Sequence, residues 1–524
     1  MTARTKRPRD DVVHVRDCGA RGDGTALDTA AVQRAIDVCA ARAHGGTVVV
    51  APGVYRCGSL ALRSGVTLRL EGGAVLQASD TLEHYELDGR RAGLLTAAGA
   101  VDVAIEGAGV VDGAARSFFH PERRHFKDDF RRETSRQGAA FLADAEAILH
   151  GPWDFDDRPP PVCTLVDCDN VRVEGVTFRD APAWTFCVLR SRRLLFDRLV
   201  IDNNLAVPNS DGIHVSRCRN VRITGCDISG GDDAIAITTL VPDAHRAADA
   251  PPERRRTENV TVADCILRSR SAAVRVGYGP YDIRRVALSN LVVHGSNRGI
   301  GVFARTGGCI RDVVCSNVVI DTDLVTGHWW GKGEPVHVSA VPGGAGDGAG
   351  APGGIEHVRF AQIVARSPAG CVVYADAPGL VRDVTFDGLD LRLFRSEHER
   401  HVGGNLDLRP IGDASRTVYA HDVAGVYLRR VAGFELRGVR VAFDGPAPTW
   451  YTRAVHCRRC SEGRVVDLSV RPDDSAAGDS ATSGAPRGAD VLLESCRRVV
   501  VRTDLLAPGA VRCDADCADC RADA

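Results

Sequence analysis

No stretch of the 524-residue chain approaches the roughly 20 consecutive apolar residues of a membrane-spanning helix. The N-terminus, basic through Lys6, Arg7 and Arg9 and then acidic at Asp10 and Asp11, lacks the apolar core of a secretory signal. As written, the chain is expected in the cytoplasm, or outside the cell if an upstream segment has been removed. Neither sign of charge dominates: 66 basic residues face 68 acidic ones, a net charge of -2. No global field therefore draws the chain to nucleic acid or to a membrane, and an anionic ligand has to be met by a local cluster. Cysteine, by contrast, is plentiful, with 18 residues. Several (Cys168, Cys218, Cys226, Cys265, Cys315) fall at repeat positions where a small apolar side chain serves, so reduced interior thiols are expected rather than a disulfide framework.

Helical periodicity occurs once. After the turn cluster Cys18-Gly19-Ala20-Arg21-Gly22-Asp23-Gly24, Asp28 can cap a helix over 29–41, with Ala31, Val32, Ala35, Ile36 and Cys39 on one face. Such a helix suits the open end of a stack of strands. Alternating runs follow at once, at Thr47-Val48-Val49-Val50 and at Val66-Thr67-Leu68-Arg69-Leu70, punctuated by glycine turns that argue against further long helices.

A loose motif then recurs: a polar residue, an aliphatic one, any residue, another aliphatic one, then Gly or Asp. It reads Val101-Asp102-Val103-Ala104-Ile105-Glu106-Gly107, Asn170-Val171-Arg172-Val173-Glu174-Gly175 and Asn220-Val221-Arg222-Ile223-Thr224-Gly225. Its anchors at 171, 194, 221, 260, 286 and 313 lie 23, 27, 39, 26 and 27 residues apart, about the length of one coil of three short strands. The pattern of leucine-rich repeats is absent, and propeller blades need longer repeats. An all-β, single-stranded parallel β-helix is expected. It would occupy 13–505 as one domain, behind a flexible tail at 1–12 and before a disordered, cysteine-containing tail at 506–524. Departures from the period predict loops near 114–161, 239–257 and 326–354, clustered on one binding face. The first is charged (Arg123, Arg124, His125, Lys127, Arg131, Arg132). The third opens with Gly327-His328-Trp329-Trp330-Gly331-Lys332-Gly333-Glu334, whose adjacent tryptophans suit stacking on sugar rings.

Within this rhythm Asp211 precedes Asp232 by 21 residues and Asp233 by 22, nearly one coil. Residues one coil apart sit on adjacent rungs about 4.8 Å apart, so three carboxylates are expected in one patch. Mutual repulsion separates their proton affinities, leaving one carboxyl as general acid while another, ionised, activates water. That pairing suggests glycoside hydrolysis.

The stretches Asn209-Ser210-Asp211-Gly212-Ile213-His214-Val215 and Gly231-Asp232-Asp233-Ala234-Ile235-Ala236 resemble the two acidic signatures of the polygalacturonase family of glycoside hydrolases, family 28. The turn at 18–23, the stretch 45–53, Arg158-Pro159 and Ala181-Pro182-Ala183-Trp184-Thr185 resemble the same family, so the likeness covers roughly 13–321. It implies a right-handed parallel β-helix and inverting hydrolysis of a pectin-like chain, without cofactor or metal. Asp232 is then the general acid, and Asp211 with Asp233 hold and deprotonate water. Two signatures depart from the pattern. The family's Gly-His-Gly aligns with Ser271-Ala272-Ala273, and its Arg-Ile-Lys with Gly299-Ile300-Gly301. Asn209, His214, Arg275, Arg298, Arg305, His328, Trp329, Trp330 and Lys332 are the expected substrate contacts, the arginines as replacement charge and His328 or His294 in place of the missing His. The expected substrate is an acidic or pectic oligosaccharide related to galacturonan or rhamnogalacturonan, degraded from the chain end by a monomer or weak oligomer with no nucleic-acid or membrane partner. The alternatives are a lyase or epimerase on the same scaffold and a non-catalytic glycan-binding β-helix.

Beyond 391 the chain is less explicit. Residues 405–410 and 419–422 are expected as loops beside the cleft and 474–490 as a polar loop. Cys457-x-x-Cys460 with Cys517-x-x-Cys520 nominally has zinc spacing, but the two pairs lie far apart.

Overall fold

The computed structural model describes residues 11–125, 149–240, 254–327, 329–342, 351–402, 423–471, 489–506 and 509–523. His328, the segments 405–410 and 419–422, most of 474–490 and parts of the three long loops lie outside them. The short strands of the repeat stack in parallel, each on its counterpart one coil later. Leu165 pairs with Val188, Val188 with Val215, Val215 with Ile237, Ile237 with Val276 and Val276 with Val302. Fourteen such strands form one sheet in near-sequential order, and the other faces of the coil merge into a 26-stranded sheet among the described residues. The architecture is a parallel β-helix.

The recurring motif builds it residue by residue. Val171, Leu194, Val221, Val260, Val286 and Val313 all point inward and are buried. The asparagines before several of them, at 170, 220 and 259, take left-handed backbone angles with φ of 57–59°, a conformation that the short amide side chain tolerates. Asn259 Nδ2 donates to Asn220 Oδ1 at 2.8 Å, so the turns stack as well as the strands. Cys168, Cys218, Cys226, Cys265 and Cys315 are buried thiols in the same interior.

The helix Thr29–Ala40 buries the predicted face of Ala31, Val32, Ala35, Ile36 and Cys39 against the first coils. Asp28 stands at its N-cap, its carbonyl accepting from the Val32 N–H at 3.0 Å, but its side chain makes no bond to the helix. Its carboxylate instead accepts from the backbone N–H groups of Arg21 and Gly22 at 2.7 and 2.9 Å, closing the preceding turn. At the other end the predicted disorder does not hold. Val511–Cys513 pairs with Val491–Leu493, and Arg521–Asp523 with Val500–Arg502, adding a last coil. Cys457 and Cys460, the first of the nominal zinc pairs, are buried core thiols, and no three His, Cys, Asp or Glu side chains among the described residues are arranged to hold a metal ion. No helix among the described residues is long and apolar enough to cross a membrane.

Candidate active site

The three aspartates fall where the period places them. Ile213 pairs with Ile235, and the N–H of Gly212 donates to the Asp233 carbonyl at 3.0 Å. Asp211 and Asp233 therefore occupy equivalent positions on neighbouring coils, about 4.8 Å apart along the stack, and Asp232 stands beside them. All three sit at the start of strands in the 14-stranded sheet, where the chain turns tightly. A Cβ on Gly212 would approach the Ala234 carbonyl oxygen to 2.4 Å, and one on Gly231 the Val207 oxygen to 2.1 Å, so both positions require glycine. Asn203 underpins the turn: its amide donates to Thr185 Oγ1 at 2.8 Å and to the Ser210 carbonyl at 3.1 Å.

Each carboxylate has a different environment. Asp232, at 8% exposure the most accessible of the three, accepts from Asn209 Nδ2 at 3.2 Å and from the Asp233 N–H at 3.0 Å. Asp211 faces His214 Nδ1 at 3.3 Å, and the other ring nitrogen of His214 meets Thr238 Oγ1 at 2.9 Å. Burial pushes the His214 pKa well below its ordinary value, with Arg275 adding to the effect, so the ring is neutral. Asp233 is held by donors on both of its oxygens. Oδ1 accepts from Ser271 Oγ at 2.9 Å and from the Ala272 N–H at 3.1 Å, while Oδ2 is ion-paired with Arg275 Nε.

Two arginines balance the aspartates. Arg275 lies over the Tyr278 ring at 4.5 Å; burial works against its charge, but Asp233 outweighs burial and raises its pKa above the usual arginine value. Arg158 donates to Asn209 Oδ1 at 2.9 Å and to the carbonyls of Pro182 and Pro208. Burial lowers its pKa to about 10 against the opposing pull of Asp211 and Asp232.

The structure gathers Asn209, His214 and Arg275 with the aspartates. Arg298, Arg305 and Lys332 lie farther along the helix and are buried rather than solvated. Arg298 reaches Glu334 at 3.4 Å, and Arg305 packs over Tyr278 at 5.5 Å and Phe303 at 5.4 Å. Trp329 is no exposed platform: it is 5% exposed and its indole N–H is bonded to the His150 carbonyl at 3.0 Å. Trp330 is half-buried, its carbonyl accepting from Asn297 Nδ2 at 2.7 Å. Besides Tyr278, the site carries the ring of Trp184, stacked 3.8 Å from His214. His294, expected as a possible stand-in, is exposed on the larger sheet, away from the aspartates. Nor can Gly299 and Gly301 carry the family's basic side chains, since a Cβ would meet the Pro335 carbonyl at 2.3 Å and the Phe303 ring at 2.5 Å.

Sequence reasoning missed the counter-ion role of Arg158, the ion pair of Asp233 with Arg275, and the buried pair Glu334–His337. The spacing Glu334-Pro335-Val336-His337, which copies Asp211-Gly212-Ile213-His214, was the available signal for the last.

The stacked parallel coils and the carboxylate-lined turn define a parallel β-helix with an acidic cluster on one face. Residues 154–241 match the profile of glycosyl hydrolases family 28, and residues 12–87 match that of rhamnogalacturonase A/epimerase, pectate lyase-like proteins. The chain is similar to the exo-poly-α-D-galacturonosidase of Dickeya chrysanthemi, 28% identical over 43% of this chain and 41% of that one. It is also similar to a probable polygalacturonase of Vitis vinifera, 26% identical over 58% and 60%. It thus spans about two-fifths to three-fifths of the length of these curated relatives. The family 28 exopolygalacturonase of Yersinia enterocolitica superposes with a TM-score of 0.59 at 19% identity, over 88% of this chain and 79% of that one, and shares the right-handed parallel β-helix. The chain is thus similar, at low identity, to family 28 polygalacturonases.

Proposed function

We propose that the protein is an inverting glycoside hydrolase that removes sugars from the end of a pectin-like, uronate-bearing oligosaccharide. The observation that carries this reading is the convergence of Asp211, Asp232 and Asp233 on adjacent coils, with Arg158 and Arg275 as their counter-ions. Asp232, the most accessible carboxylate, protonates the leaving oxygen. Asp211 activates the water on the opposite face, and the neutral ring of His214 fixes its orientation. Inversion requires acid and base to stand far enough apart to admit that water, roughly 6.5–9.5 Å in enzymes of this type.

Sequence reasoning gave Asp233 a share in holding the water. The donors on both of its oxygens suit it less to that task than to a second one, holding Arg275 in place. Arg275 then offers charge to a substrate carboxylate in the absence of the family's Arg-Ile-Lys residues. The exo mode is supported by the similarity to an exo-poly-α-D-galacturonosidase, and the hydrolytic class by the family 28 match across both acidic signatures.

Replacement of Asp232 by Asn tests the reading. Turnover of oligogalacturonides should fall at least about a thousandfold, while oligosaccharide binding, read by calorimetry, stays within about threefold of wild type. Near-normal turnover in that variant would remove Asp232 from the acid role.

A further inference from the structure

The acid–histidine unit beside the catalytic turn occurs a second time. Strand register runs unbroken from Ile213 to Ile235, Val274, Ile300 and Val336. Asp211 and Glu334 each lie two residues before this column, and His214 and His337 one residue after it. In both units the histidine Nδ1 stands 3.3 Å from its carboxylate. Glu334 is four rungs from Asp211, about 19 Å along the stack at the usual strand spacing.

The two units differ at the outer ring nitrogen. His214 Nε2 is met by Thr238, and its ring is covered by Trp184. His337 has no such neighbour: the residue corresponding to Thr238, two beyond its register partner Val372, is Tyr374, and His337 Nε2 is buried without a hydrogen-bond partner. Ser339, next on the same outward face of the strand, is fully buried, and its Oγ also has none. Each such atom costs free energy until something pairs with it.

The charge state fixes what that partner can be. Burial alone would raise the Glu334 pKa, but Arg298, His337 and the Lys332 N–H hold it well below the usual carboxylate range. Glu334 is thus an ionised acceptor for the Nδ1 proton of His337, whose own pKa burial lowers to about 4. The ring is therefore neutral with its outer nitrogen bare, able to accept an O–H and unable to donate to an anion.

We infer that His337 and Ser339, positioned by Glu334, form a hydroxyl-recognising subsite for a sugar unit bound four rungs along the stack from the aspartates. The inference rests on the glycoside-hydrolase reading for the identity of the ligand as a carbohydrate. His214 is then the structural copy of the unit and His337 the ligand-binding one.

The test compares wild type with His337→Asn, which keeps a donor near the Nδ1 position for Glu334 but lacks the outer nitrogen, and with the near-isosteric Ser339→Ala. Binding of a tetragalacturonide and of a digalacturonide is measured by calorimetry, alongside thermal stability and KM and kcat for each. The expected result is about tenfold weaker binding and higher KM for the tetragalacturonide, with kcat and digalacturonide binding unchanged and Ser339→Ala as stable as wild type. Equal tetragalacturonide affinity in all three proteins means that an internal water alone fills the site, and overturns the inference. Tetragalacturonide that binds in a His337-dependent way without being cleaved supports the subsite while refuting the hydrolase. Cleavage unaffected by either substitution leaves the hydrolase standing and removes the subsite.

Discussion

Removing the guanidinium of Arg275 leaves Asp233 as a buried charge without its ionic partner. The two side chains are 11% and 2% exposed, and breaking a pair so enclosed by deleting one member typically costs about 3–5 kcal/mol. Asp233 retains two donors, Ser271 Oγ and the Ala272 N–H, so Arg275→Met should fall near the lower end, about 3 kcal/mol. Asp233→Asn should cost a similar amount, because it leaves Arg275 buried over Tyr278 without its ion-pair partner. The double variant has neither orphaned charge and should be less damaged than the sum of the singles, with a coupling energy of about 2–3 kcal/mol. Urea denaturation of all four proteins at neutral pH measures this cycle. Additive losses would refute the argument that Asp233 is chiefly the anchor of Arg275, and would return it to the water-holding role.

Two further outcomes follow from burial. His337 titrates near 4 in the fold and near 6.5 when unfolded, so across that interval the unfolded chain binds more protons. Stability should therefore rise with pH through this window and be lost on acidification, and His337→Asn should flatten the dependence of the urea midpoint on pH; an unchanged slope contradicts it. Trp329→Ala should cost about 3–5 kcal/mol of stability, because the indole is packed and bonded to His150, while leaving KM of the folded enzyme within about twofold of wild type. A large KM effect at full stability would restore the sugar-stacking role.

How much of this was legible in the sequence depends on how local the signal was. The β-helix was readable because successive coils repeat an inward aliphatic residue behind a left-handed turn, at asparagine in several of them, so a few coils predict the rest. The helix Thr29–Ala40 was equally clear from its apolar face, though not the destination of the Asp28 carboxylate, which is decided by the turn at Arg21 and Gly22. The aspartate cluster followed from period alone, since residues one coil apart are neighbours. What failed was inference about residues whose surroundings come from distant coils. Arg298, Arg305 and Trp329 look like surface groups in a charged, loop-rich stretch, yet Glu334, the rings of Tyr278 and Phe303, and the His150 carbonyl enclose them. The last coil was misread because Val511–Cys513 and Arg521–Asp523 are too short to show alternation and are specified by the strands they pair with.

The most direct test of the central claim is a real-time NMR reading of the fresh reducing end released from an α-linked oligogalacturonide in the first minutes of reaction. The account predicts a β-anomer appearing first and then mutarotating, as expected for acid and base carboxyls acting from opposite faces. An α-anomer, or an unsaturated product, would contradict the mechanism assigned to Asp211 and Asp232.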